Sequence, residues 1–287
     1  MQAVVRYLLY AVMFLGPSHA VRATDAPVPT DLHTAVVGDI ELYYRESGSG
    51  DKQPLVMIHG AFGSSQLWRD IVPLLSHRVR VITPDTRGKG YTAAGTRPFT
   101  LVQMADDVLK LLDNLGIERA HVAGHSQGAA VVMTLLAHNE HRVKSASLSG
   151  MTHDRNLIRP EWTSRHRRMC SDAMNIRAGN RDLENFKQTW LSFGRSEAEF
   201  PEHVKAHCQL WEEGSMPFSE EQLADSKVPV LIFRAGSDPV VSVEALDALA
   251  ALFTEATVVN IPEATHGLPR QMPHEYAEFW LAFLDSL

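Results

Sequence analysis

Six short and almost unbroken apolar runs, rich in β-branched residues, recur along the chain at 55–58, 79–83, 121–123, 143–148, 228–233 and 257–261. Strands buried on both faces read this way, whereas a sheet with one wet face alternates apolar and polar residues. Patterns of helical period separate the runs, at 64–76, 101–115, 127–139, 243–253 and 273–287. Such alternation predicts an α/β fold: a mostly parallel central sheet with helices on both faces. In the second helix the expected inward face is Val102, Ala105, Val108, Leu109, Leu112 and Leu115. Thr100 and Gln103 start it as a capping box, and Gly116 is its C′ stop. An earlier pair of segments, 34–37 and 40–44 around Gly38-Asp39, reads as a β-hairpin.

One stretch breaks the rhythm. From 151 to 225 there is no convincing strand, yet Trp162, Trp190 and Trp211 occur among helix-like segments. That is too long for a loop. It is expected to be a helical cap over the carboxyl edge of the sheet, where open α/β sheets bind ligands. The core is then 31–150 with 226–287. At the start of the chain, Arg6 precedes an apolar run, 7–16, closed by Pro17 and small residues at Ser18, Ala20 and Ala23. This is the pattern of an export signal, 1–23, cleaved after Ala20 or Ala23. It is shorter than the roughly 20 apolar residues of a membrane span. A periplasmic or secreted protein without a stable membrane anchor is expected. The net charge of −7, with no long basic run, excludes nucleic acid as the partner. Two cysteines are too few for a disulfide framework or a four-cysteine zinc site.

The chemistry is concentrated in a few loops. Gly124-His125-Ser126-Gln127-Gly128 follows a strand run and opens a helical one. Glycines two positions either side of a serine permit a tight turn that exposes its hydroxyl at a helix N-terminus. A serine hydroxyl needs a positioned base before it attacks. Of 14 histidines, His266, after the last strand run and before the final helix, has the right place and order. The imidazole in turn needs a carboxylate to hold its tautomer. Asp238, just beyond 228–233, fills that role, with Asp154 in reserve. The oxyanion donors are expected to be the backbone N–H groups of Gln127 and of Ala61, in His59-Gly60-Ala61-Phe62-Gly63. Phe62 reads equally as pocket lining or as core, and Trp162, Trp190 and Trp211 are further pocket candidates. His59 and His125 read as structural, and His138 and His141 as surface residues rather than metal ligands.

With these residues in place the chain resembles the α/β-hydrolase superfamily over about residues 34–287. The resemblance rests on HGAFG at 59–63, DTRGKG at 85–90, GHSQG at 124–128, and the GSDPV and THG segments that carry Asp238 and His266. DTRGKG is similar to a structural turn of that superfamily. The capped bacterial esterases, enol-lactonases and carbon–carbon bond hydrolases look most similar. The resemblance implies a Ser126–Asp238–His266 triad acting on an ester, a lactone or a related acyl compound. Serine at 126 argues against the dehalogenases and epoxide hydrolases of this fold, which place aspartate there. Gln127 departs from the methionine that many enol-lactonases and carbon–carbon hydrolases carry after the serine.

The expected function is therefore a monomeric or weakly associating serine hydrolase for a small or medium ester or lactone, with no metal or organic cofactor. Carbon–carbon cleavage, perhydrolysis and slow-turnover ligand binding stay open, because the same triad serves them all. Within 151–225 the charges are uneven: seven arginines and two acids in 155–181, then three basic and ten acidic residues in 182–225. The arginines either draw in a carboxylate or form a solvated face paired with acids elsewhere; the second is the expectation. Cys170 and Cys208 both fall here, either as a disulfide or as two reduced thiols.

Overall fold

The computed structural model describes residues 6–8, 31–175, 179–212 and 216–287. Its strands are β1 (Arg6–Leu8), β2 (Asp31–Val37), β3 (Ile40–Ser47), β4 (Pro54–Ile58), β5 (Arg80–Pro84), β6 (Ala120–His125), β7 (Val143–Ser149), β8 (Val230–Ala235) and β9 (Ala256–Ile261). Between them run α1 (Val72–Leu75), α2 (Leu101–Asn114) and α3 (Gln127–Asn139). Next come α4 (Pro160–Met174), α5 (Arg181–Ser192), α6 (Phe200–Glu212) and α7 (Glu220–Ala224). The last are α8 (Val243–Leu252), α9 (Leu268–Gln271) and α10 (Pro273–Asp285).

The nine strands lie in the order β1-β9-β8-β7-β6-β4-β5-β3-β2. β3 pairs antiparallel with β2 and with β5, and the other ladders are parallel. The β2–β3 turn is the expected hairpin, with Gly38 at φ 60°. β1 falls in the segment expected to be an export signal and lies at the edge of the sheet, parallel to β9; most of that segment is outside the described residues. Among the described residues no helix is long and apolar enough to cross a membrane.

Register positions the functional loops. Ile58 pairs with Gly124, Gly124 with Leu148, Leu148 with Ile232, and Ile232 with Val258. One row therefore crosses five parallel strands, and the loops that leave their carboxyl ends emerge side by side. Apolar side chains fill both faces of the sheet. α2, α3 and α8 pack on one face, while α1 and α10 pack on the other through Val72, Leu75, Tyr276 and Trp280.

Three local expectations are corrected. The buried face of α2 is Leu101, Met104, Ala105, Asp107, Val108, Leu111 and Leu112, whereas Val102 is exposed. The 101-104-105-108-111-112 stripe holds the larger apolar set, and Asp107 joins it because Arg87 neutralises its charge. Of the expected capping box only half forms: Thr100 accepts from the Gln103 N–H at 3.1 Å, while the Gln103 side chain turns to Asp106 and Asp107. Residues 64–76 form a short 3-10 turn, Ser65–Trp68, followed by α1, and not one helix. Pro73 lacks an N–H and is tolerated only in the first turn of a new helix.

The DTRGKG turn is a buried ionic node. Arg87, fully buried, donates to Asp107 at 2.6 and 2.8 Å, to Asp39 at 3.1 Å and to the Ala94 carbonyl at 2.8 Å. Asp85 accepts from the N–H groups of Ser65 and Tyr91 at 2.7 and 3.0 Å. The node pins the hairpin turn, the loop after β5 and α2 together. Arg87→Leu should leave Asp107 buried without its counterion and lower unfolding stability by about 3–5 kcal/mol, measured by urea denaturation.

Candidate active site

Where β6 passes into α3 the backbone makes a turn with no room for side chains at its flanks. A Cβ on Gly128 would lie 2.1 Å from the Ile58 carbonyl oxygen, and one on Gly124 would lie 2.4 Å from the Gly128 carbonyl oxygen. Ser126, between them, adopts φ 54° and ψ −122°, a conformation L-residues rarely hold. The turn lifts its hydroxyl above the sheet, at the N-terminus of α3. The neighbouring loop after β4 can come close because Gly60 has no side chain; a Cβ there would sit 3.1 Å from that of Ser126.

The loops after β8 and β9 bring the other two expected residues to the same point. His266 Nε2 is 3.1 Å from Ser126 Oγ, and His266 Nδ1 is 3.0 Å from Asp238 Oδ2. Asp238 is almost fully buried, and its Oδ1 accepts from the N–H groups of Val240 and Val241 at 2.7 and 3.3 Å. Those bonds fix the carboxylate with Oδ2 at 3.0 Å and Oδ1 at 3.2 Å from the imidazole Nδ1. Nδ1–H then donates to Asp238, and Nε2 is left to accept the serine proton. The loops are also tied to each other, Ser237 N–H donating to the Ala264 carbonyl at 2.9 Å. No acceptor among the described residues takes the N–H of Ala61 or Gln127, which remain available beside Ser126. Asp154, the reserve acid, instead caps a 3-10 turn by accepting from Asn156 N–H at 2.9 Å.

α4 to α7 form the segment inserted between β7 and β8. α4, α5 and α6, together with Ser126 and His266, line a cavity of about 320 Å³. Its walls include Phe62, Met151, Trp162, Met169, Phe186 and Trp211. Phe62, itself at φ 52°, stacks on Phe186 with ring centroids 4.0 Å apart. Trp190 is not among the lining residues. It sits in the interior of the insertion, stacked on His203 at 4.5 Å, with its Nε1–H donating to the Ser196 carbonyl at 2.7 Å. The spacing of Leu183, Phe186 and Trp190 on α5 turns it inward.

Several wall residues carried no legible sequence signal. Met151, Met169, Phe186, His166 and His207 look like any residue of an amphipathic helix or loop until the helices are packed. Arg165 at the cavity is paired with Asp182 at 2.7 Å. Arg155 donates to the carbonyls of Leu210 and Trp211, and Arg159 donates to the Asp238 carbonyl at 3.0 Å. These three arginines therefore serve the fold. Cys170 and Cys208 form a disulfide that joins α4 to α6. Among the described residues the grouping with metal-ligand chemistry is His166, Cys170 and Cys208, but both sulfurs are committed to that bond.

The other histidines divide as expected. His59 accepts from Thr86 N–H at 3.1 Å through Nε2, so its Nδ1–H donates to the Gly60 carbonyl at 2.8 Å and stiffens the loop. His125 is buried against Ser149, and His138 bonds the Pro217 carbonyl at 2.6 Å. Burial lowers the imidazole pKa of His166 to about 4 and that of His203 to about 3, the latter helped by the charges of Lys89 and Arg195. His207 is held well below its usual value by burial and by neighbouring His166.

Comparison with known proteins agrees with the fold. The alpha/beta hydrolase fold family matches residues 53–269, and the chain belongs to it; it is an α/β-fold hydrolase. A RutD protein of Azorhizobium caulinodans, named as a carbamate hydrolase, is 27% identical over 259 residues, spanning 87% of this chain and 97% of its own. Among solved structures, a thermophilic esterase from Thermogutta terrifontis superposes with a TM-score of 0.72 at 23% identity, covering 89% and 98% of the two chains. The enol-lactonase from Burkholderia xenovorans LB400 gives 0.70 at 24%, covering 88% and 100%. At that identity these two likenesses speak for the fold alone.

The neutral imidazoles set a pH dependence of stability. Unfolded histidines protonate near 6.5, whereas His166 and His203 in the folded chain do so only near 4 and 3. Between those values the unfolded chain binds more protons, so stability falls as pH falls through that window. The melting temperature should drop from pH 6.5 to pH 4, and His166→Gln should flatten the slope, as followed by near-ultraviolet circular dichroism.

Proposed function

We propose that the chain is a serine hydrolase that cleaves a small or medium carboxylic ester or lactone through an acyl-enzyme. One observation carries the reading: a continuous relay from Ser126 Oγ through His266 to Asp238, with steps of 3.1 and 3.0 Å, opening on an apolar cavity. Ser126 would attack the carbonyl carbon as its proton passes to His266 Nε2. The negative charge on the former carbonyl oxygen would be held by the N–H groups of Ala61 and Gln127. Collapse of that intermediate breaks the C–O bond, and the imidazolium returns the proton to the leaving alkoxide. His266 then activates water to release the acid. Asp238 stays ionised throughout and stabilises the imidazolium.

The inserted helices act in this reading as a cap that restricts access and supplies the apolar wall. Phe62, Trp162 and Trp211 would contact the substrate, while the Arg165–Asp182 pair is already neutralised and offers no free charge to a carboxylate. Export with removal of the first 20 or 23 residues is also proposed; the paired cysteines suit an oxidising compartment.

Ser126→Ala should abolish covalent labelling by an alkyl fluorophosphonate and reduce hydrolysis across a graded panel of esters and lactones by about 10⁴-fold or more. Undiminished labelling of Ser126→Ala would overturn the assignment of the nucleophile. Labelling of the unsubstituted chain without turnover on that panel would point instead to carbon–carbon or peroxide chemistry, or to a binding role.

A further inference from the structure

Directly behind the nucleophile lies a charge that the proposed mechanism does not use. Lys89, from the DTRGKG turn, is 2% exposed. Its ammonium donates to the side-chain oxygen of Gln127 and faces the ring of Phe99 at 5.7 Å. No carboxylate pairs with it among the described residues. Asp85, four residues earlier, spends its oxygens on Ser65 and Tyr91. The titratable groups facing Lys89 from other elements are His59 from the β4 loop and His203 and His207 from α6; Arg195 in turn faces His203. All three imidazoles are depressed, in each case by burial first and partly by Lys89 itself, so none brings a compensating negative charge.

This is an uncomfortable place for a cation. Buried lysines without a partner resist protonation, and Gln127 is the first residue of α3, where the free N–H groups already make the potential positive. Burial accordingly pushes Lys89 down to about 7. Negative charge nearby would offset both penalties, and in the proposed acyl transfer that charge develops on an oxygen held by the N–H of the same Gln127 whose side chain holds the ammonium. A further sign of design for this contact is the amide of Gln127: its oxygen is turned to Lys89 while its nitrogen is buried without a partner.

We propose that Lys89 is a positioning residue of the acyl-transfer site: its ammonium, fixed on the side chain of Gln127, orients that residue and adds positive potential beside the oxyanion donors. The inference rests on the serine-hydrolase reading above. Lys89 touches no substrate atom. It acts through Gln127, and only its protonated form supplies the charge.

The test uses the full chain, with the second-order rate of Ser126 phosphonylation by an alkyl fluorophosphonate and kcat/KM for a p-nitrophenyl ester, both followed from pH 5.5 to 9. These quantities report ionisations of the free protein. At pH 6, Lys89→Met should be slower by about tenfold, less than the 10²–10³ of a direct oxyanion donor. The ratio of unsubstituted protein to Lys89→Met should then shrink toward one as pH rises past 8 and the lysine discharges. Lys89→Arg, which stays charged, should keep its advantage over Lys89→Met at pH 9. Thermal stability should not fall in Lys89→Met, since an unpaired buried charge is removed.

A ratio that stays constant with pH, or equal rates at pH 6, would overturn the inference while leaving the hydrolase reading intact. Should Lys89→Met not fold, the comparison of Lys89→Arg with the unsubstituted chain carries the same test: their ratio must rise with pH if the inference holds and stay level if it fails. Absence of Ser126 labelling in the unsubstituted chain would remove the hydrolase reading and this inference with it.

Discussion

The first turn of α3 presses on the end of β4 through Gly128, where a single methyl group would lie 2.1 Å from the Ile58 carbonyl oxygen. The geometry of the site depends on that contact. It brings the helix down onto the sheet immediately after β6, forces Ser126 into a positive-φ conformation and aims the free N–H groups of the helix start at the space beside the serine hydroxyl. Strain of this kind persists only where surrounding packing over-determines it. Here the register of five parallel strands and the buried Arg87 node supply that packing on either side.

The space above the turn is unusual in its electrostatics. Its imidazoles are kept neutral by burial, its arginines are paired with Asp182 or with backbone carbonyls, and Lys89 beside α3 has no carboxylate partner among the described residues. In such a medium a small number of oriented N–H groups acts on developing charge far more strongly than in water. Arg159 connects this interior to the acid, because its Nε–H donates to the backbone carbonyl of Asp238. The insertion is therefore bonded to the loop that orients His266, and the disulfide between α4 and α6 stiffens it from within.

Much of this was legible in the residue string, for identifiable reasons. Buried parallel strands must be apolar throughout, so β4 to β9 announced themselves by composition. The turn at Ser126 requires glycines at fixed offsets, so it left a motif. Asp238 and His266 were locatable because each follows a strand whose carboxyl end must face the same edge. Helix faces were less legible: Val102 and Met104 are both apolar, and only the partner surface decides that Met104 is buried and Val102 exposed. Trp190 could not be told from Trp162 and Trp211, since all three lie on helices of the insertion and differ in which neighbour they meet. Lys89 read as one more charge in a loop, because nothing local records that Gln127 and Phe99 close over it.

The order of residues by itself determined the fold class, the tight turn at Ser126 and the placing of Ser126, Asp238 and His266 in loops at one edge of the sheet, because backbone sterics and strand burial act over a few neighbouring positions and constrain them directly. The tertiary structure decided the rest: the 3.1 and 3.0 Å distances that connect residues 140 and 28 positions apart, the pairing of Cys170 with Cys208, and the identity of the cavity wall. It also decided that Lys89 is buried against the side chain of Gln127 with no carboxylate partner among the described residues. Such properties depend on which surfaces meet once the sheet has closed and the inserted helices have settled on it. Burial, dielectric environment and charge pairing exist only between elements, and no local pattern encodes them.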